Sequence, residues 1–216
     1  MTFEKTPGWL DWYAGPSQPR FKLPAGSVDA HCHVFGPAAR FPYAPERKYT
    51  PVDAPKEKLY ALRDFLGFDK NVIVQASCHG PDNRAMLDAI ATSQGAYKGV
   101  CIARSTFTDE DFHKLHEGGV CGVRFNFVTH LGGTPNLEAM TSILQRVKPL
   151  GWHLIIHVNA EDLIKFESFF SAIDMEIVVD HMGRVPCDQG TGQEAFQILK
   201  RFMRRDNWWC KVCGAE

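Results

Sequence analysis

The stretch VDAHCHVFGP, residues 28–37, decides how the chain is read. A short apolar run leads into two histidines at alternating positions. On a β-strand, successive side chains point to opposite faces. The pattern therefore predicts Asp29, His31 and His33 on one face and Ala30 and Cys32 on the other. Two imidazoles side by side at a strand end suit a metal or a polarised substrate. An HxH pair on its own fits two packed histidines equally well, so the strand's place in the chain has to decide.

Working outward, short apolar runs alternate with helix-period segments. The runs are 28–33, 71–77, 98–103, 120–126, 153–158, 175–181 and 207–213. Several are apolar on both faces, as in a parallel sheet covered by helices. Between them the spacing predicts helices over 55–66, 82–94, 108–117, 137–148, 161–172 and 193–205. Pro55 opens the first and Gly67 stops it, and Thr108 opens the third. This βα series is either a doubly wound sheet or a (β/α)8 barrel. No GxGxxG or Walker pattern follows a strand, which disfavours the nucleotide-binding sheet. Polar residues gather at the strand C-termini, where a barrel builds its active site. The fold expected is α/β, a (β/α)8 TIM barrel preceded by an N-terminal arm at 1–27. Residues 28–216 form an incomplete barrel, apparently truncated after the seventh strand.

Bulk properties narrow the function class. The chain has 216 residues, 44% hydrophobic and 23% charged, with a formal net charge of −1. That composition suits one domain with a sizeable core. There is no basic surplus for nucleic acid. No apolar run approaches the roughly 20 residues of a membrane span, and residues 1–24 have no signal-like apolar core. Seven cysteines, an odd number mostly inside apolar runs, fit buried reduced thiols and a cytoplasmic protein. Oligomeric state is not legible.

The chemistry-bearing residues sit at the ends of the runs. His157 and His181 close the fifth and sixth, and the MGR turn brings Arg184 near His181. Four histidines at three strand ends are harder to explain as packing than one. Arg124 lies inside VCGVRFNFV, where an unpaired guanidinium is costly. Its partner is either an anionic substrate held by the fork or an internal acid such as Asp29 or Asp180. Ser77 starts a turn in QASCHGPDN and can bond an anion or simply cap the turn. No Gly-x-Ser-x-Gly elbow surrounds it, which argues against a serine nucleophile. Tyr49 is a loop tyrosine and His130 a loop histidine. Cys210 and Cys213 have CxxC spacing, but strand geometry would turn their sulfurs apart, and no second CxxC completes a zinc site.

Together DAHCHVFGP, FPYAPERKYTP, VIVQASCHGPDN, GVRFNFV and DHMGR resemble the amidohydrolase superfamily. The resemblance is closer to its branch of 2-pyrone-4,6-dicarboxylate lactonases and related lactone hydrolases. It implies a carboxylic-ester hydrolase of aromatic catabolism that opens a small anionic lactone to a muconate or oxalomesaconate product. In that branch the groups matching His31, His33 and His181 are catalytic and polarise the lactone carbonyl. Those matching Tyr49, Ser77 and Arg124 hold substrate carboxylates, and His130 and His157 join the substrate-binding set. The resemblance implies a general-base aspartate on an eighth strand, beyond residue 216.

The branch includes enzymes that need no metal. Arg124 stands where a binuclear member would present a bridging lysine, and it would repel a divalent ion. The expectation is therefore no required cofactor. If a metal such as zinc binds, His31, His33, His157 and His181 are the ligands expected. Other readings are a hydrolase of a sulfomuconolactone or sugar-acid lactone, a metal-dependent decarboxylase of the same superfamily, and a non-catalytic truncated barrel.

Overall fold

Strand and helix alternate along the whole described chain. The structure is a computed structural model that describes residues 3–213; Gly214 to Glu216, the end of the expected barrel segment, lie outside the described residues. The strands are β1 (Val28–Cys32), β2 (Lys70–Val74), β3 (Tyr97–Cys101), β4 (Val120–Asn126), β5 (His153–His157), β6 (Ile177–Val179) and β7 (Trp208–Cys210). The helices are α1 (Lys56–Leu66), α2 (Arg84–Ala91), α3 (Asp109–Glu117), α4 (Leu137–Val147), α5 (Ala160–Lys165), α6 (Glu167–Ser171) and α7 (Glu194–Phe202).

The residues fall into two compact units, divided between Cys121 and Gly122 inside β4. In the first unit, β1 pairs with β2 and β2 with β3, all parallel. In the second, β4, β5, β6 and β7 pair in order, again parallel. Within each unit the βα steps thus lay successive strands side by side, as in a barrel.

The local signals act as their chemistry requires. Pro55 caps α1, and Gly67 ends it at φ 82°, where its N–H reaches Arg63 O. Thr108 and Asp111 form a capping box on α3, satisfying two donors that the first turn leaves without helical partners. In the first unit Ile73, Val74, Val100 and Cys101 are buried, with Met86 and Ala89 of α2. In the second, Leu154, Ile155, Ile156 and Ile177 are buried with Ile143, Leu163 and Phe202. Near-continuous apolar strands are what helices packed on a parallel sheet demand.

Four expectations change. The β1 ladder slips between Asp29 and Cys32, opposite Asn71 and Ile73. This bulge interrupts the simple alternation that put Asp29 on the histidine face. The single helix expected over 161–172 is two, α5 and α6, broken at Phe166. β6 stops at Val179, so Asp180 and His181 are not strand residues. β7 stops at Cys210, so strand geometry does not orient Cys213.

Candidate active site

In the first unit, backbone groups hold the histidines. The Asp29 carboxylate accepts the His31 N–H at 3.0 Å, which fixes the bulge. The rings of His31 and His33 stand edge to face, 5.0 Å apart. His33 Nδ1 lies 2.7 Å from Val74 O. Only a protonated Nδ1 can make that bond, so Nε2 is left for any further chemistry.

His79 anchors the loop that follows β1. It is 1% exposed. Its Nε2 accepts the Gly36 N–H at 3.0 Å, and Nδ1 lies 3.3 Å from Pro42 O. Both nitrogens are thus used by a neutral ring, and burial lowers its pKa. Gly36 has φ +69°, and a Cβ there would collide with the Asp53 carboxylate. That carboxylate takes the Ala38 N–H at 3.0 Å and the Tyr43 hydroxyl at 2.8 Å. Ser77 begins the turn Ser77–His79 and is half-buried. Tyr49 is also half-buried, near the Cys78 thiol, whose pKa burial pushes up to about 12.

The second unit is organised by charge. Asp180 is fully buried. Its Oδ2 accepts Arg124 Nε at 2.7 Å, and Lys211 Nζ lies 3.2 Å from Oδ1. Of the two partners open to Arg124, the structure therefore contains the internal acid Asp180. Two cations on one carboxylate leave a positive surplus.

His157 sits beside that surplus and is 5% exposed. Its Nδ1 lies 3.0 Å from Asn126 Oδ1, which requires Nδ1–H as donor. Nε2 then carries a lone pair, and it is buried with no hydrogen-bond partner. Burial first, and then the Arg124 charge, push the His157 pKa down to about 3. At neutral pH the ring is a fixed acceptor. It does not carry the charge an anion-binding histidine would need.

His181 is oriented by an unusual turn. His181, Met182, Gly183 and Arg184 have φ values of 52°, 52°, 63° and 49°. Non-glycine residues avoid this left-handed region, and such strain gathers at functional sites. A Cβ at Gly183 would approach Leu163 Cδ1 to 2.8 Å, so glycine is required there. The Met182 N–H bonds Lys211 O at 3.1 Å and ties the turn to the residue after β7.

The turn sets the His181 ring 5.2 Å from that of His157 and its Nδ1 2.9 Å from Cys213 Sγ. His130 is exposed, its ring 6.2 Å from His157. A cavity of about 780 Å³ opens here, lined by His157, His181, Arg184, Cys213 and Gln193. Arg184 is exposed and has no carboxylate partner among the described residues.

Several of these features lay beyond sequence reasoning. Arg184 was noted only as a neighbour of His181, yet it is the cation that faces the cavity without an acid. Asn126, which fixes the His157 tautomer, carried no signal beyond its place at the end of a strand.

The amidohydrolase family profile matches residues 28–216. The chain belongs to the amidohydrolase family. Its fold is the (β/α)8 barrel of that family, and the described residues supply seven strands.

A 2-pyrone-4,6-dicarboxylate hydrolase of Comamonas testosteroni is 54% identical over 99% of this chain and 70% of its own length. A 4-sulfomuconolactone hydrolase of Hydrogenophaga intermedia is 34% identical over 91% of this chain and 65% of its own length. Among solved structures, a probable 2-pyrone-4,6-dicarboxylic acid hydrolase of Acinetobacter baumannii, with citric acid bound, superposes with a TM-score of 0.77. It is 27% identical, covering 88% of this chain and 70% of that one. Among the described residues no helix is long and apolar enough to cross a membrane.

Proposed function

We propose that the protein hydrolyses a carboxylated lactone, with 2-pyrone-4,6-dicarboxylate as substrate, in the breakdown of aromatic compounds. The observation that carries this reading is the charge balance of the second unit. Arg124 and Lys211 share one carboxylate, and Arg184 faces the same cavity as the neutral His157. Such a surface attracts a dianion. The 54% identity to a hydrolase of that pyrone supports it.

Water adds to the lactone carbonyl, and the acyl–oxygen bond of the ring then breaks. A new carboxylate and a ring-opened enol result. His31, His33 and His181 take the carbonyl-polarising role, since donors belong where the oxyanion develops. With Nδ1–H committed to Val74 O, His33 would donate through a protonated Nε2. Tyr49, Ser77, Arg124 and His130 take the substrate carboxylates, and Arg184 adds a further cation. His157 contributes an acceptor for a substrate or water O–H. Its low pKa makes it too weak a base for neutral pH, so the proton-abstracting role stays with the aspartate expected on an eighth strand.

The reaction proposed needs no metal. Arg124 lies close enough to His157 to lower its pKa, and the same charge opposes a divalent ion. The buried lone pair on His157 Nε2 is nonetheless a competent zinc donor. Zinc, if bound, would draw on His31, His33, His157 and His181. The seven cysteines, none of them in a disulfide among the described residues, favour a reducing compartment, the cytoplasm. A sulfonated muconolactone is the second substrate, on the 34% identity to a hydrolase of it.

The test follows pyrone absorbance with and without a strong chelator. Turnover in both is expected. Turnover lost on chelation and restored by zinc would overturn the metal-free mechanism. Turnover of the sulfomuconolactone alone would replace the substrate, and turnover of neither would overturn the lactone reading.

A further inference from the structure

From Phe3 onward, the N-terminal segment is tied to the rest of the first unit at successive points. The Phe3 ring packs edge-on against Tyr43 at 5.5 Å, and the Arg47 guanidinium lies 5.0 Å over it. The Thr6 N–H bonds Thr50 O at 2.9 Å, and the Thr50 N–H returns to Thr6 Oγ1 at 2.7 Å. The Trp9 N–H closes a turn onto Thr6 O at 3.0 Å. The indole of Trp9 then stacks on the Tyr49 ring, 4.3 Å away and 5° from parallel. Further on, Lys58 Nζ lies 4.1 Å over the Trp12 ring. Trp12 and Tyr13 line a cavity of about 430 Å³ together with His33, Lys58, Leu62 and Phe65.

These contacts set the segment apart from a loose terminus. Two reciprocal backbone-anchored bonds fix its register against the 41–50 loop, and the ring stack lands on the tyrosine assigned to the substrate. Trp9 and Trp12 stay 36% and 43% exposed, so core packing does not explain them. Large rings held half in water beside a mostly apolar cavity with His33 and Lys58 in its lining suit a wall that a ligand completes.

We infer that the N-terminal segment is a wall of the substrate site, in which Trp9 positions Tyr49 and Trp12 and Tyr13 close the cavity at His33. The inference rests on the lactone reading for the identity of the substrate. Stacking removes the rotational freedom of the Tyr49 ring before the substrate arrives, so its loss falls on binding more than on chemistry. Trp9 is thus a positioning residue.

The experiment compares the wild type with Trp9→Ala, Trp9→Phe and the double variant Trp12→Ala/Tyr13→Ala. Steady-state hydrolysis of 2-pyrone-4,6-dicarboxylate gives KM and kcat. In parallel, diethyl pyrocarbonate labelling without substrate, read by peptide mass spectrometry, gives the carbethoxylation rate of His33. Trp9→Ala is expected to raise KM about tenfold with kcat within about threefold, and Trp9→Phe to restore KM. The double variant is expected to label His33 several-fold faster at an unchanged melting temperature.

An unchanged KM in Trp9→Ala, no rescue by Trp9→Phe, or an unchanged His33 labelling rate overturns the inference. Absence of turnover in the wild type overturns the lactone reading instead, and the wall is then decided by the His33 labelling rate.

Discussion

The two units hold their functional side chains by different physics. In the first, imidazole rings are tethered to backbone atoms: His33 to Val74 O, and His79 to Gly36 N and Pro42 O. In the second, a buried carboxylate carries two cations, and a left-handed turn aims His181. Backbone tethers fix position with little dependence on salt or pH. A buried charge cluster sets an electrostatic potential, and the Arg124 charge adds to burial in keeping His157 neutral. The first unit thus supplies orientation, while the second adds an electrostatic field.

The sharpest way to break this contrast is Asp180→Asn. It strands two cations beside a buried acceptor and is expected to destabilise the protein by about 3–5 kcal/mol. Chemical denaturation measures it. A loss below about 1 kcal/mol, the range of exposed pairs, would mean that water reaches the cluster and the field is weak.

A smaller effect is expected from His79→Leu. It leaves the buried Gly36 N–H without its acceptor, at about 1–3 kcal/mol, while the Pro42 carbonyl belongs to an exposed residue and can turn to water. The accompanying signature is faster hydrogen exchange at Gly36. Exchange at the wild-type rate would show that the tether to His79 is dispensable.

A third test concerns pH. His157 has its folded pKa near 3 against an ordinary value of 6.5. Its unfolded form therefore binds the proton first as pH falls. The stability it contributes is complete above pH 6.5 and is lost progressively between there and about 3. The slope is at most about 1.4 kcal/mol per pH unit. His157→Phe should flatten the stability curve between pH 4 and 6 relative to the wild type. An unaltered slope would place the acid sensitivity elsewhere, with His79, also depressed by burial, the first alternative.

Much of the fold was legible because its signals are local. The alternation of β runs and helical periods depends on neighbours within a turn or a pleat. Pro55, Gly67 and Thr108 mark helix ends by backbone conformation and capping, which a few residues settle among themselves. The HCH pair was legible for the same reason, although the bulge at Asp29–Cys32 was not: a ladder slip depends on the partner strand. The sequence marks His181 but not its orientation, because nothing short-range marks four residues for the left-handed region when only Gly183 favours it.

The sequence by itself determined the βα order, the limits of most helices, and the presence of histidines, a serine and an arginine in or just after the strands. Only the tertiary structure decided which acid Arg124 meets, that His157 is a neutral acceptor, and that Trp9 lies flat on Tyr49. The reason is separation along the chain. Arg124 and Asp180 are 56 residues apart, and Asp29 was an equally suitable acid by composition and position. Periodicity and capping act through covalent neighbours. Charge pairing, desolvation and ring stacking act through space, and the folded chain sets which groups come within reach.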